Sequence, residues 1–307
     1  MQNAEKQSLM LKKNSSKCGI LRQSGATTIV LKEKLPREHG VIPDLLRMIR
    51  NMLPSSELDD LHLENNNITD TELIKLAEML PSSKLTQLWL DKNKITDVGA
   101  IKLAEALPHS KLDSLGLESN FITDIGAMKL AEMLPSSSLI RLGLSDNQIT
   151  DISTVKLAEA LSNSELLGLY LNNNQITDVG TIKLAEALLS SKMVKLCLSN
   201  SQITDTGAIK LAEALPSSEM YSLMLSNNQI TDIGAIKLAE MLPSSKLAWL
   251  GLNDNAISDA GAIKLAEILP CSKLTLLQLS DNQISDVGKT ILNNLKYSNG
   301  EDINVWT

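Results

Sequence analysis

The residues of this 307-residue chain best suited to metal or nucleophilic chemistry are three histidines, His39, His62 and His109, and three cysteines, Cys18, Cys197 and Cys271. A metal site needs ligands that converge at short spacing, and these six are scattered along the sequence. Gly288-Lys289-Thr290 has the ending of a phosphate loop, but Gln283 stands where the first glycine belongs, so the match reads as chance. No Ser/His/Asp arrangement is legible either. The chain is therefore expected to have no catalytic residue, no cofactor and no metal. What remains is non-covalent chemistry: the carboxylates Asp60, Glu64, Asp91 and Glu118, the cations Arg141 and Lys195, and the large side chains Trp89, Tyr170, Met224 and Trp249.

These residues share one property: they break a pattern. From Leu58 to about residue 300 the chain repeats every 27 residues, nine times. Leu58, Leu85, Leu112, Leu139, Leu166, Met193, Met220, Leu247 and Leu274 open the copies. Each continues apolar-x-x-Leu-x-Leu-x-x-Asn-x-Ile-Thr/Ser-Asp and closes near Ile-Lys-Leu-Ala-Glu-Ala-Leu-Pro-Ser-Ser. A fixed period of this size means stacked supersecondary units, each too small to bury its own apolar face. The Leu-x-Leu segment alternates as a short strand does, and the second half has helical spacing. Thr96 is placed to cap the helix of the second copy, and Asp97 puts negative charge at its positive end. Ile101, Leu103, Ala104 and Leu107 form its apolar stripe, Lys102 and Glu105 face water, and Pro108 stops it. Successive strands must then lie parallel on one side with helices on the other. Because a helix is wider than the ~4.8 Å strand spacing, such a stack curves with strands on the inner wall.

Four segments are expected. Residues 1–24 read as a flexible lead and 25–57 as an N-terminal cap with a helix near 44–53. Residues 58–300 are the repeats, and 301–307 a closing segment. Aromatics make up 2% of a chain that is 43% hydrophobic, so the core is aliphatic. A net charge of -7 argues against nucleic acid and against anionic membrane surfaces. An odd number of cysteines at unrelated spacings suits a reducing compartment, and Met1–Lys17 lacks the apolar core of a Sec signal. These features point to a cytoplasmic monomer.

Leu61-His62-Leu63 followed by Asn66 and Ile68, with eight further copies, resembles the leucine-rich-repeat family. Lengths near 27 with a true helix are similar to its ribonuclease-inhibitor-like subclass. The resemblance implies an α/β solenoid, a horseshoe with parallel strands on the concave face and α-helices on the convex face. It also implies a scaffold role for the column Asn66, Asn93, Asn120, Asn147, Asn174, Asn228, Asn255 and Asn282, whose amides would join neighbouring turns. Ser201 interrupts that column, and a weak point is expected there. The near-identical, Asn- and Ile-rich copies further resemble leucine-rich-repeat effectors of intracellular bacterial pathogens. That likeness implies secretion without a Sec signal into host cytosol, and action by binding a host protein.

Alternation turns Leu61 and Leu63 inward, leaving Asp60, His62 and Glu64 on the concave face. The middle column there reads His62, Trp89, Gly116, Gly143, Tyr170, Cys197, Met224, Gly251, Gln278. Gly116 and Gly143 suggest a bare floor between the walls Trp89 and Tyr170, which three strand spacings put about 14 Å apart. Asp60, Glu64, Asp91 and Glu118 make the first repeats acidic, while Arg141 and Lys195 make the middle basic. Trp, Tyr and Arg are frequent interface anchors. The expected partner contacts are therefore Trp89, Asp91, Glu118, Arg141, Tyr170, Lys195, Met224 and Trp249, gripping a protein whose basic surface meets the acidic repeats. Cys197 reads as an apolar filler before a reactive thiol, and Phe121 as a core residue before a rim one. Two rival functions stand beside this one: a GTPase-activating scaffold working through rim residues such as Lys92 and Lys94, and a passive spacer.

Overall fold

The computed structural model describes residues 18–23 and 26–31 as backbone, and 58–293 and 304–307 in full. They fall into two compact units, residues 1–147 and 148–307. In the first, β1 (Cys18–Gln23) and β2 (Ala26–Leu31) form an antiparallel hairpin. The parallel strands β3 (Leu58–His62), β4 (Gln87–Trp89), β5 (Ser114–Gly116) and β6 (Arg141–Gly143) follow in order. β1 lies in the stretch expected to be a flexible lead. Its Gly-Ile-Leu run, hidden in the sequence by Lys, Ser and Asn neighbours, finds a ladder partner in β2. The cap helix expected near 44–53 lies outside the described residues.

In the second unit all pairs are parallel, through β7 (Gly168–Tyr170), β8 (Lys195–Cys197), β9 (Ser222–Met224), β10 (Trp249–Gly251), β11 (Leu276–Gln278) and β12 (Asn304–Trp306). Each repeat strand is followed by a helix. These are α1 (Asp70–Ala77), α2 (Asp97–Ala106) and α3 (Asp124–Met133), then α4 (Asp151–Leu161), α5 (Asp178–Leu188), α6 (Asp205–Ala214), α7 (Asp232–Met241), α8 (Asp259–Ile268) and α9 (Asp286–Asn293). The leucine-rich-repeat solenoid expected from the sequence is the fold observed.

Within one copy, Leu85, Leu88, Leu90, Ile95, Leu103 and Leu107 are at most 1% exposed. Burying such a side chain stabilises by about 1.5–3 kcal/mol relative to leaving it in water. Pro108 sits inside a short 3-10 turn, Leu107–His109, that prolongs α2 before the chain leaves. Where Ser162 and Leu189 replace this proline, α4 and α5 are each 11 residues long against 10 for α2. Ion pairs such as Lys102–Glu105, at 2.8 Å, lie on the exposed helix face, where such pairs add little.

Two ladders tie each copy to the next. The Asn120 Oδ1 accepts the Ile95 N–H at 3.1 Å, while its amide nitrogen donates to the Leu90 and Leu117 carbonyls, both at 3.1 Å. The aspartate opening each helix makes the second. Asp205 Oδ1 accepts from the backbone N–H of Thr231 at 2.8 Å and of Gly234 at 2.9 Å, and its Oδ2 accepts from the Thr231 hydroxyl at 2.6 Å. Thr231 in turn caps α7 by accepting from Ile233 N–H. The sequence reading gave this aspartate only a helix-end role; it also grips the following copy. A Cβ on Gly234 would stand 2.7 Å from Asp205 Oδ1, so glycine is needed there by close approach.

At Ser201 the first ladder fails. The Ser201 hydroxyl is buried without a hydrogen-bond partner, whereas Asn174 and Asn228 serve Ile149 and Ile203 N–H at 3.0 and 3.1 Å. Serine is too short to span the gap and has no amide donors.

Candidate functional site

The strand face of residues 1–147 is built on β3, β4, β5 and β6, and its charges are coupled. His62 Nδ1 lies 2.8 Å from Glu64 Oε1 and Nε2 lies 3.1 Å from Asp60 Oδ2. Its ring stacks on Trp89 with centroids 5.9 Å apart at 21°. Trp89 Nε1 donates to Asp60 Oδ1 at 3.1 Å. Burial alone would lower the His62 pKa, but the Glu64 hydrogen bond and the charges of Glu64 and Asp60 carry it above the usual value. The Asp91 Oδ1 accepts the Glu118 N–H at 2.7 Å. Burial, opposed by that bond and assisted by the Glu64 charge, pushes the Asp91 carboxyl up. Glu118 is pushed up by burial and by the charges of Asp91 and Asp146. The row holds more negative charge than its neighbours neutralise, so a cation brought to it is met by several carboxylates at once.

The bare floor expected at Gly116 and Gly143 is absent. Both glycines are buried. A Cβ on Gly116 would meet Trp89 Cε3 at 2.7 Å and Asp91 Oδ2 at 2.8 Å; one on Gly143 would meet Glu118 Oε1 at 3.1 Å. Trp89, Asp91 and Glu118 reach toward the next copy, and glycine is what lets a large side chain lie down there. Arg141 is exposed and forms no ion pair among the described residues. Phe121 is 53% exposed, against the core reading. It follows the Asn120 turn, at a position that carries Lys94 one copy earlier.

In residues 148–307 the strand face is less charged. Lys195 Nζ lies over the Tyr170 ring at 4.9 Å, a cation–π contact. Cys197 is 4% exposed, which suits a filler. Met224 is half-buried, its sulfur 2.7 Å from where a Cβ on Gly251 would stand. Trp249 is exposed and its ring centroid lies 5.9 Å from that of Tyr221. Tyr221 and Trp306, both exposed, were not picked out as partner contacts from the sequence, which read Trp306 only as part of the closing segment. Tyr221 stands one residue before its strand, and Trp306 lies beyond the last repeat, where a column reading does not reach. The register Gln278↔Trp306 shows that Trp306 continues the middle column. Other exposed apolar residues, such as Val98, Ile125, Ile152, Val179, Ile233 and Val287, recur at one helix position and so distinguish no copy from another.

Among the described residues, no group of His, Cys, Asp and Glu could hold a metal ion, and no helix is long and apolar enough to cross a membrane. What the fold offers is a scaffold of near-identical copies presenting an individual strand face, the construction of a binding module. The chain carries leucine-rich repeats: the family model described as Leucine Rich repeat matches residues 82–104, 162–185, 190–212, 222–239, 250–266 and 271–288. Members of this family are typically protein-interaction modules without enzymatic activity. No curated protein sequence is significantly similar to the chain. Among solved structures, it is similar to an internalin (inlF) from Listeria monocytogenes, at 23% identity and a TM-score of 0.49, over 96% of this chain and 93% of that one. It is also similar to the functional domain of InlJ from Listeria monocytogenes, at 20% identity, a TM-score of 0.47, and coverage of 81% and 44%. A third is actin-binding site 2 of leiomodin-1, at 19% identity, a TM-score of 0.40, and coverage of 47% and 85%.

Proposed function

We propose that the chain is a non-enzymatic binding protein that holds a protein partner on its strand faces. The observation that carries this is the contrast between positions. Core and helix positions barely change from copy to copy, while strand-face positions differ and gather into part-exposed contact sets. In residues 1–147 the set is His62, Trp89, Asp91 and Glu118, whose surplus negative charge suits a basic partner surface and would orient it on approach. In residues 148–307 it is Tyr170, Lys195, Met224 and Trp249. Arg141, exposed and unpaired, joins the first set as a donor to a partner carboxylate. The finer reading, a bacterial effector acting on a host protein in the cytosol, rests on the wording of the near-identical copies.

The test is an affinity pull-down from host-cell lysate with the full chain. One prey, lost when Trp89→Ala, Arg141→Ala and Tyr170→Ala are combined and retained when exposed helix residues such as Lys102 are changed, is the expected result. A prey that ignores these three and depends on Lys92 or Lys94 overturns it in favour of a rim-acting GTPase activator. No prey under any condition overturns it in favour of a spacer.

A further inference from the structure

Three exposed rings of residues 148–307, two on strands and one just before a strand, follow one diagonal of the register. Tyr221 stands one residue before β9, Trp249 opens β10 and Trp306 closes β12. In the register, Ser222 pairs with Trp249, and Gln278 pairs with both Gly251 and Trp306. Each strand crossed is thus matched by one residue of advance along the chain. With strands ~4.8 Å apart and ~3.3 Å per residue, the first interval is about 5.8 Å and the second about 11.7 Å. The Tyr221 and Trp249 ring centroids are 5.9 Å apart. The rings are 49%, 40% and 51% exposed. Tyr221 and Trp249 are inclined at 50°, so the pair opens as a notch. The part-exposed Leu276 and Gln278 of β11 lie between Trp249 and Trp306 and floor a second notch.

On the same geometry the two notch centres are about 9 Å apart. One turn of a polyproline II helix, three residues at ~3.1 Å each, covers about 9.3 Å. Such a helix has no internal hydrogen bonds, so its carbonyls seek outside donors. The Tyr221 hydroxyl and the Trp249 indole N–H have no hydrogen-bond partner among the described residues, whereas Trp306 Nε1 already donates to Asn304 Oδ1 at 2.8 Å. The charges nearest Tyr221 and Trp249 in sequence, Glu219 and Lys246, pair with each other at 2.5 Å. Free donors on these two rings, beside a paired charge, complement an uncharged, carbonyl-rich ligand.

We infer that Tyr221, Trp249 and Trp306 bind a proline-rich segment of a partner in the polyproline II conformation, one ridge of the helix in each notch. This rests on the reading of the strand face as a binding surface and gives part of it a ligand chemistry. The experiment titrates the full chain with a blocked decaproline peptide, followed by calorimetry and tryptophan fluorescence. Saturable binding is expected, weakened about tenfold or more by Trp249→Ala, as for an interface anchor ring. Tyr221→Phe, which removes only the hydroxyl, weakens it by a smaller factor. Trp89→Ala and a rise from ~50 to ~500 mM salt leave it unchanged. Circular dichroism confirms that the variants stay folded.

Absence of saturable binding overturns the inference, as does binding that Trp249→Ala leaves intact. So does a neutral oligosaccharide, laminarihexaose, held by these rings while decaproline is not. If decaproline fails while the pull-down still depends on Trp89, Arg141 and Tyr170, the ligand assignment falls and the binding-face reading stands. If the prey is lost from that dependence as well, both fall.

Discussion

Replacing Ser201 by asparagine should repair the broken ladder and stabilise residues 148–307. In the intact copies the asparagine Oδ1 receives an isoleucine N–H, and its amide donates to carbonyls of two neighbouring copies, as Asn228 does to Leu198 and Leu225, each at 3.0 Å. At position 201 the corresponding groups are Ile176 N–H and the carbonyls of Leu171 and Leu198. Each net hydrogen bond contributes about 0.5–1.5 kcal/mol, and fixing the longer side chain costs up to ~1 kcal/mol. A net gain of about 1–2 kcal/mol follows. For a unit of this size that raises the melting temperature by roughly 2–8 °C. Urea unfolding read by tryptophan fluorescence, with hydrogen exchange at the Ile176 amide, checks it. Exchange there should slow by about tenfold per 1.4 kcal/mol gained. The reciprocal change, Asn228→Ser, should cost at least as much as the repair gains. An Ser201→Asn protein with unchanged midpoint and unchanged Ile176 exchange would refute the argument, because the rung would then be worth nothing.

Three further outcomes are expected. Asp91→Asn should keep the Oδ1 bond to Glu118 N–H, as Asn172 and Asn253 do with Ser199 and Ser280 at 2.8 and 2.9 Å. Removing the repulsion should stabilise by roughly 0.2–1 kcal/mol while weakening a basic partner, read by denaturation and pull-down together. Gly234→Ala, which in most helices would stabilise, should here destabilise by about 1–3 kcal/mol, because its Cβ would be forced against Asp205 and the side chain of Ile230; thermal unfolding shows the sign. The shifts of His62, Asp91 and Glu118 are all upward, so all three make residues 1–147 less stable as pH rises. The carboxylate contributions fade from their ordinary values upward through the raised ones. The His62 contribution is full below its unfolded pKa of 6.5 and is lost through the raised folded pKa. His62→Asn should flatten the upper part of a stability–pH curve.

The scaffold was legible because it repeats: period, strand and helix announce themselves nine times in the sequence, and the Asn ladder eight. Side-chain lean was not legible. Nothing in the letters Trp89 and Gly116 says that the ring lies over the glycine; that depends on the tilt of one strand against the next. Phe121 was misjudged by residue type, since aromatics are usually buried, although the column it occupies also carries Lys94 and Gln175. The Asp205–Thr231–Gly234 clasp was present as spacings of 26 and 29 residues. It was hidden because each member has a sufficient local explanation as a cap or a helix-end charge. Trp306 was read only as part of a closing segment, because it stands outside the repeat that made every other column readable.

The clasp bears on how such a chain changes length. Aspartate and a capping threonine or serine are supplied by every copy in the same phase, and glycine by all but those with Glu72 and Ser153, so a duplicated segment such as 205–231 carries both halves of the fastening. Inserted between its parents, it would offer its Asp to the copy after it and its Thr and Gly to the copy before it, leaving no seam. Gaining or losing whole 27-residue blocks is therefore structurally cheap, and an insertion of any other size would leave one aspartate and one threonine without their mates.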